Sequence, residues 1–105
     1  MMESTEFEFT LPKGLLDGSG NLHQQGMMRL ATGHDEIYVT KHPKLKENRA
    51  YAMLVMLSRT IEDLGTLSTV RPEDLEQLFL IDLLYLRDFF HRIHRSTGVT
   101  APGEF

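Results

Sequence analysis

The 105-residue chain has no cysteine, no tryptophan and only four prolines. Without cysteine there are no disulfides, no thiolate nucleophiles and no Cys-based zinc sites. No apolar run approaches the roughly 20 residues that a membrane-spanning helix needs. The opening MMESTEFEF is acidic and lacks the basic-then-apolar order of a secretory leader. An excess of positive charge is missing as well: the formal net charge is −4. The chain as a whole is therefore not built to bind nucleic acid by neutralising phosphates. These absences predict a cytoplasmic protein that engages neither membrane nor nucleic acid.

What is present is ordinary for a globular protein: 41% hydrophobic and 25% charged residues. The length suits one domain and allows a thin core, so association, including with a second copy of the chain, would cover apolar surface. The expected organisation is a disordered start over 1–5, a single α+β domain over 6–95 and a flexible tail over 96–105. The predicted fold is an N-terminal antiparallel β-hairpin packed on a short helix and two longer antiparallel helices.

Glu6 to Leu11 alternates strictly, with Phe7, Phe9 and Leu11 on one face of a half-buried strand that Pro12 should stop. Pro12 to Asn21 is rich in turn residues, with Asp17-Gly18 as a hairpin signal and Leu15 and Leu16 expected to fold back over the core. Leu22 to Leu30 returns as the second strand, and Gly26 marks a bulge or a close approach. Thr32 is an N-cap, with Asp35 and Glu36 in the first turn of a helix over Gly33–Thr40 that Lys41-His42-Pro43 ends. A second helix is expected from Arg49 to Leu64, capped by Asn48 and closed by Gly65. Its face is Tyr51, Leu54, Val55, Ser58, Ile61 and Leu64, widened by Met53, Met56 and Leu57.

The third helix should run from Val70 to Arg95. Leu75, Phe79, Asp82, Leu86, Phe89 and Ile93 step by 4, 3, 4, 3 and 4, which places them on one stripe. Leu78, Leu80, Ile81, Leu83, Leu84, Tyr85 and Phe90 lie off it, so the helix is apolar nearly all round and should be covered from several sides. Asp82 stands in the middle. If buried, it needs a partner, because a lone buried carboxylate costs several kcal/mol. Arg59 is the first candidate and a backbone amide at a helix break near Ile81 the second. A position on the helix flank, reaching solvent, is the commoner arrangement for such a residue.

His91 and His94 have a spacing that can ligate a metal from one helix face, but two histidines do not make a site. With Arg87, Arg92 and Arg95 they form a basic helix end, which solvation explains. Met27, Met28, Met53 and Met56 suit core filling better than an adaptable peptide surface. The glycines Gly14, Gly18 and Gly20 precede a strand, not a helix, so they are no phosphate loop. Ser58 and Ser68 lack a His/Asp constellation. No catalytic, metal or cofactor site is predicted.

Three segments together carry a resemblance: FEFTLPKGLLDGSGNLHQQGMMRLATGHDEI, a helix closing on RTIEDLGTL, and VRPEDLEQLFLIDLLYLRDFFHRI. They resemble small tail-assembly proteins of contractile-tailed phages and phage-derived contractile injection systems, over about Thr5 to Ile93. The most specific pieces are Met28-Arg29-Leu30-Ala31-Thr32 with Asp35-Glu36-Ile37, and Leu78-Phe79 with Asp82-Leu83, Tyr85-Leu86 and Asp88-Phe89. The resemblance implies a non-enzymatic assembly chaperone or adaptor whose partners are tape-measure, tube or baseplate proteins. It also admits a structural subunit retained in the finished particle. Partner contact is expected through the last helix, at Asp82, Leu83, Leu86, Phe89, Phe90 and Ile93, because a few buried anchors dominate most interfaces.

Overall fold

Phe9 and Leu11 are buried and Glu8 and Thr10 exposed, as the alternation requires, but Pro12 does not end the strand. In the computed structural model, which describes residues 5–96, β1 runs from Glu6 to Leu16. Nearly all of the expected disordered start and tail lies outside the described residues. β1 pairs antiparallel with β2, Leu22–Arg29, from Glu6↔Arg29 to Thr10↔Gln25, and again at Leu15↔His23 and Leu16↔Leu22. The register shifts between Thr10 and Leu15. Pro12 falls in this irregular stretch of an edge strand, where a missing N–H costs no ladder bond. Leu15 does turn into the core. Leu16 does not: as the next residue of a strand it faces the other way and is exposed.

A third strand, β3 (Ile61–Leu64), completes the sheet in the order β1-β2-β3. This corrects the expected Arg49–Leu64 helix: α2 spans only Tyr51–Thr60, and the chain leaves it at Ile61 with ψ 116°. Ile61 and Leu64 are both buried and three apart, a spacing that reads as helical. A strand can bury both because its register against β2 shifts between Met27 and Met28. Pairing also satisfies backbone groups that would otherwise be left on the second edge of β2. Gly26 marks the close approach. A Cβ there would come within 2.5 Å of both Asp63 O and the Phe9 ring.

α1 covers Gly33–Thr40, as expected. Asp35 N–H donates to Thr32 Oγ1 and Thr32 N–H to the Asp35 carboxylate, closing a reciprocal cap. A 3-10 turn over Pro43–Lys46 follows. Asn48 is not the cap of α2: the helix begins at Tyr51 behind Ala50 with no side-chain cap, and the Asn48 side chain accepts the N–H of Ala50 in the turn before it. The single helix expected over Val70–Arg95 is two: α3, Pro72–Leu75, and α4, Leu80–Ser96. Gln77 and Leu78 donate three residues back, and the chain restarts with Asp82 and Leu83 both donating to Phe79 O. α3 packs with α2, whereas α4 lies mainly against β1. One straight helix could not serve both directions. The core between sheet and helices includes Phe9, Leu11, Met28, Val55, Met56, Leu57, Leu86 and Phe90.

Candidate interaction surface

Asp82 is fully buried. Its carboxylate accepts the N–H of Lys13 at 2.8 Å and that of Gly14 at 2.9 Å. Arg59 is not its partner, because Arg59 is taken by Asp35 at 3.1 Å. The solvent-facing arrangement is ruled out with it. One turn along α4, Tyr85 Oη accepts the N–H of Thr10 at 3.3 Å. α4 thus answers three donors of β1, an edge strand whose unpaired groups would otherwise invite another strand. Glu6 and Glu8 remain exposed on the same strand, and such charges also discourage edge pairing.

The other residues expected to meet a partner face inward. Leu86 and Phe90 are completely buried, and Phe89 and Ile93 nearly so. Phe89 stacks on Tyr85 at 6.0 Å and meets Phe9 edge-on at 5.7 Å. Leu83 is half-buried against the core. The surplus apolar surface is therefore not at the C-terminal end of α4 but at its start. Phe79, Leu80, Ile81 and Leu84 are 66%, 67%, 52% and 40% exposed. The sequence carried this signal in Leu78–Ile81, four consecutive apolar residues that no single helical stripe can bury.

The polar side chains of the interior are structural. Asp35, 1% exposed, receives both Arg29 terminal nitrogens at 2.8 and 3.0 Å and Arg59 Nε at 3.1 Å, which ties β2, α1 and α2 together. Burial pushes the Asp35 carboxyl up, but hydrogen bonds from Arg29, Thr32 and Arg59 outweigh it and hold the group well below the usual carboxylate range. His94 Nε2 accepts the N–H of Ala31 at 3.0 Å, so its ring proton belongs on Nδ1, facing Phe90 O at 2.7 Å. His23 is buried and its Nε2 lies 2.7 Å from Asp17. That bond, then the N–H of Asn21, lowers the Asp17 carboxyl to about 2. Burial lowers His91, and Arg95 and Arg87 add to it. Among the described residues no group of three His, Asp or Glu is arranged to hold a metal, and no helix is long and apolar enough to cross a membrane. Met28, Met53 and Met56 fill the core.

The arrangement offers contact surface: an apolar cluster at the start of α4, just after the break from α3. Comparison with protein-family models, curated proteins and solved structures finds no match to this chain.

Proposed function

We propose that the chain is a non-enzymatic assembly chaperone or adaptor of a phage-like contractile tail, and that it seats a tape-measure, tube or baseplate protein on the exposed start of α4. The tail assignment rests on the sequence resemblance over Thr5 to Ile93. The structural observation that supports an adaptor is the cluster Phe79, Leu80, Ile81 and Leu84. Single exposed apolar residues are common on any protein, whereas grouped ones mark interaction sites.

The test is capture of tail proteins from cells that co-express the neighbouring tail genes. Phe79→Asp with Leu80→Asp should abolish capture while circular dichroism and the unfolding midpoint stay unchanged. Undiminished capture by the double variant sinks the α4 contact. Mass spectrometry of purified particles then separates a chaperone, absent from them, from a subunit retained at fixed stoichiometry.

A further inference from the structure

Four of the chain's eleven Lys and Arg residues (Lys41, Lys44, Lys46 and Arg49) fall in Lys41–Arg49, against one acid, Glu47, in a protein of net charge −4. This stretch lines an open cleft of about 800 Å³ between the end of α1 and the start of α2. Its volume is within the roughly 300–1,000 Å³ of ligand-binding clefts. The apolar part of the lining is half-buried Leu45 and Ala52 and exposed Ala50, with Val39 buried beneath. Lys41, Lys46 and Arg49 line it too and are exposed.

The ion pairs of the described residues leave these three cations out. Their neighbour Lys44 is engaged: its Nζ lies 3.8 Å from Glu76 and 4.9 Å from the centre of the Tyr51 ring. Among the described residues Glu36 is the one acid in the lining. An apolar floor with a cationic rim matches a ligand that is apolar on one side and acidic beside it. A single-stranded nucleic acid fits less well, because it would draw on stacking with aromatic rings, and among the described residues no Phe, Tyr or Trp lines the cleft.

We propose that the α1–α2 cleft is a docking site for an acidic amphipathic helix of a partner protein. Its apolar stripe, spaced i, i+3/i+4 and i+7, lies on Leu45, Ala50 and Ala52, and its flanking carboxylates face Lys41, Lys46 and Arg49. Charge complementarity of this kind sets which partner is accepted and how fast it arrives. The surface is separate from the start of α4, and the proposal stands or falls independently of the tail assignment.

The experiment titrates the full chain with a fluorescent helical peptide of about 14 residues, enough for the i to i+7 stripe, with leucines at those positions and glutamates elsewhere. Controls are the same peptide with lysine for glutamate, and a uridine oligonucleotide. The acidic peptide should bind saturably and shift the amides of Leu45, Ala50 and Ala52. Its affinity should fall roughly tenfold or more in Lys46→Glu/Arg49→Glu, and fall as salt rises. Both substituted residues are exposed, so the variant should unfold like the parent. Any of four results overturns the proposal. These are no saturation by about 1 mM peptide, equal affinity for the double variant, tighter binding of the oligonucleotide or the basic peptide, and amide shifts centred on Phe79–Leu84. Concentration-dependent shifts at the cleft without peptide would instead assign it to a second copy of the chain, and would also overturn it.

Discussion

The carboxylate of Asp82 on α4 accepts the backbone N–H of Gly14 on β1 at 2.9 Å, across 68 residues of sequence. It takes the N–H of Lys13 as well, at 2.8 Å. Gly14 has φ +104°, and a Cβ there would come within 2.7 Å of Gln24 Cγ and 3.0 Å of His23 O. The backbone shape that aims two consecutive donors at one carboxylate is thus one that glycine adopts cheaply. A buried charge is tolerated when it collects such donors.

Asp82→Asn should therefore be costly although it is nearly isosteric. The amide offers one acceptor to two donors, and its own NH2 opposes an N–H. Leaving one buried donor unsatisfied costs about 1–3 kcal/mol. Denaturant unfolding should show a lower midpoint at unchanged slope, and hydrogen exchange should speed up at the Lys13 and Gly14 amides. A midpoint equal to that of the parent would mean that the bridge contributes nothing to holding α4 on the strand.

The orientation of α4 makes a second comparison. Phe90 is completely buried and Phe79 is 66% exposed. Phe90→Ala should cost about 3–5 kcal/mol, the lost transfer energy plus a cavity. Phe79→Ala should stay within about 0.5 kcal/mol, as surface substitutions do. Thermal unfolding of the pair checks this, and the reverse order would require α4 to be rotated about its axis.

Of the expected stripe Leu75, Phe79, Asp82, Leu86, Phe89 and Ile93, the part within α4 was legible because helical periodicity survives whatever covers it; Phe79, at the break between α3 and α4, is exposed instead, and Asp82 is buried where a solvent-reaching flank was the commoner expectation. The Thr32–Asp35 cap and the Gly26 approach were legible for the same kind of reason: each is a local requirement written in local residues. What covers α4 was not legible. Whether Phe90 points into the core or out of it depends on β1, which is distant in sequence, and the inward answer moved the surplus surface to Phe79–Leu84. β3 was missed because Ile61 and Leu64, three apart, satisfy a helix as well as a strand with a shifted register. For the partner of Asp82 the sequence offered a backbone amide only as second candidate and placed it near Ile81; the amides are those of Lys13 and Gly14 on β1, because a distant backbone amide carries no sequence signal.

Three carboxyls among the described residues, Asp17, Asp35 and Asp74, are held below their ordinary value and shape the acid limb of stability. Asp17 and Asp35 both fall below the ordinary value of 3.8. A group with a depressed folded pKa stabilises above its unfolded value and loses that contribution as pH falls through its folded value. The contribution of Asp17 should then be complete above about pH 4 and fade toward its folded value of about 2. That of Asp35 should persist to lower pH. Unfolding midpoints measured from pH 5 to pH 2 should be flat, then decline from pH 4 downward. Asp17→Asn should flatten that decline. Asp35→Asn should lower the midpoint already at pH 7, because Arg29 and Arg59 lose a buried charged partner; the cost should stay below the roughly 3–5 kcal/mol of a fully buried pair, since both guanidiniums are partly exposed. An unchanged acid limb in both variants would remove these groups from the account.

Gly65 has φ +61°, and its N–H donates to Gln25 O at 2.7 Å, which fixes the turn after β3 against β2. A Cβ at this position would overlap the His23 ring. That ring is itself held, with Nε2 against Asp17 and Nδ1 accepting the N–H of Thr66 at 3.4 Å, so it has no free direction in which to move. Gly65→Ala should cost more than the roughly 1–2 kcal/mol of a left-handed backbone alone, because it also displaces His23. The excess can be isolated in a double-mutant cycle. His23→Ala removes the ring and leaves only the Cβ contact at 2.8 Å, so the double variant should be less destabilised than the sum of the single ones, and the shortfall measures the ring's share of the collision. Strict additivity would show that the penalty lies in the backbone and not in the contact between glycine and histidine.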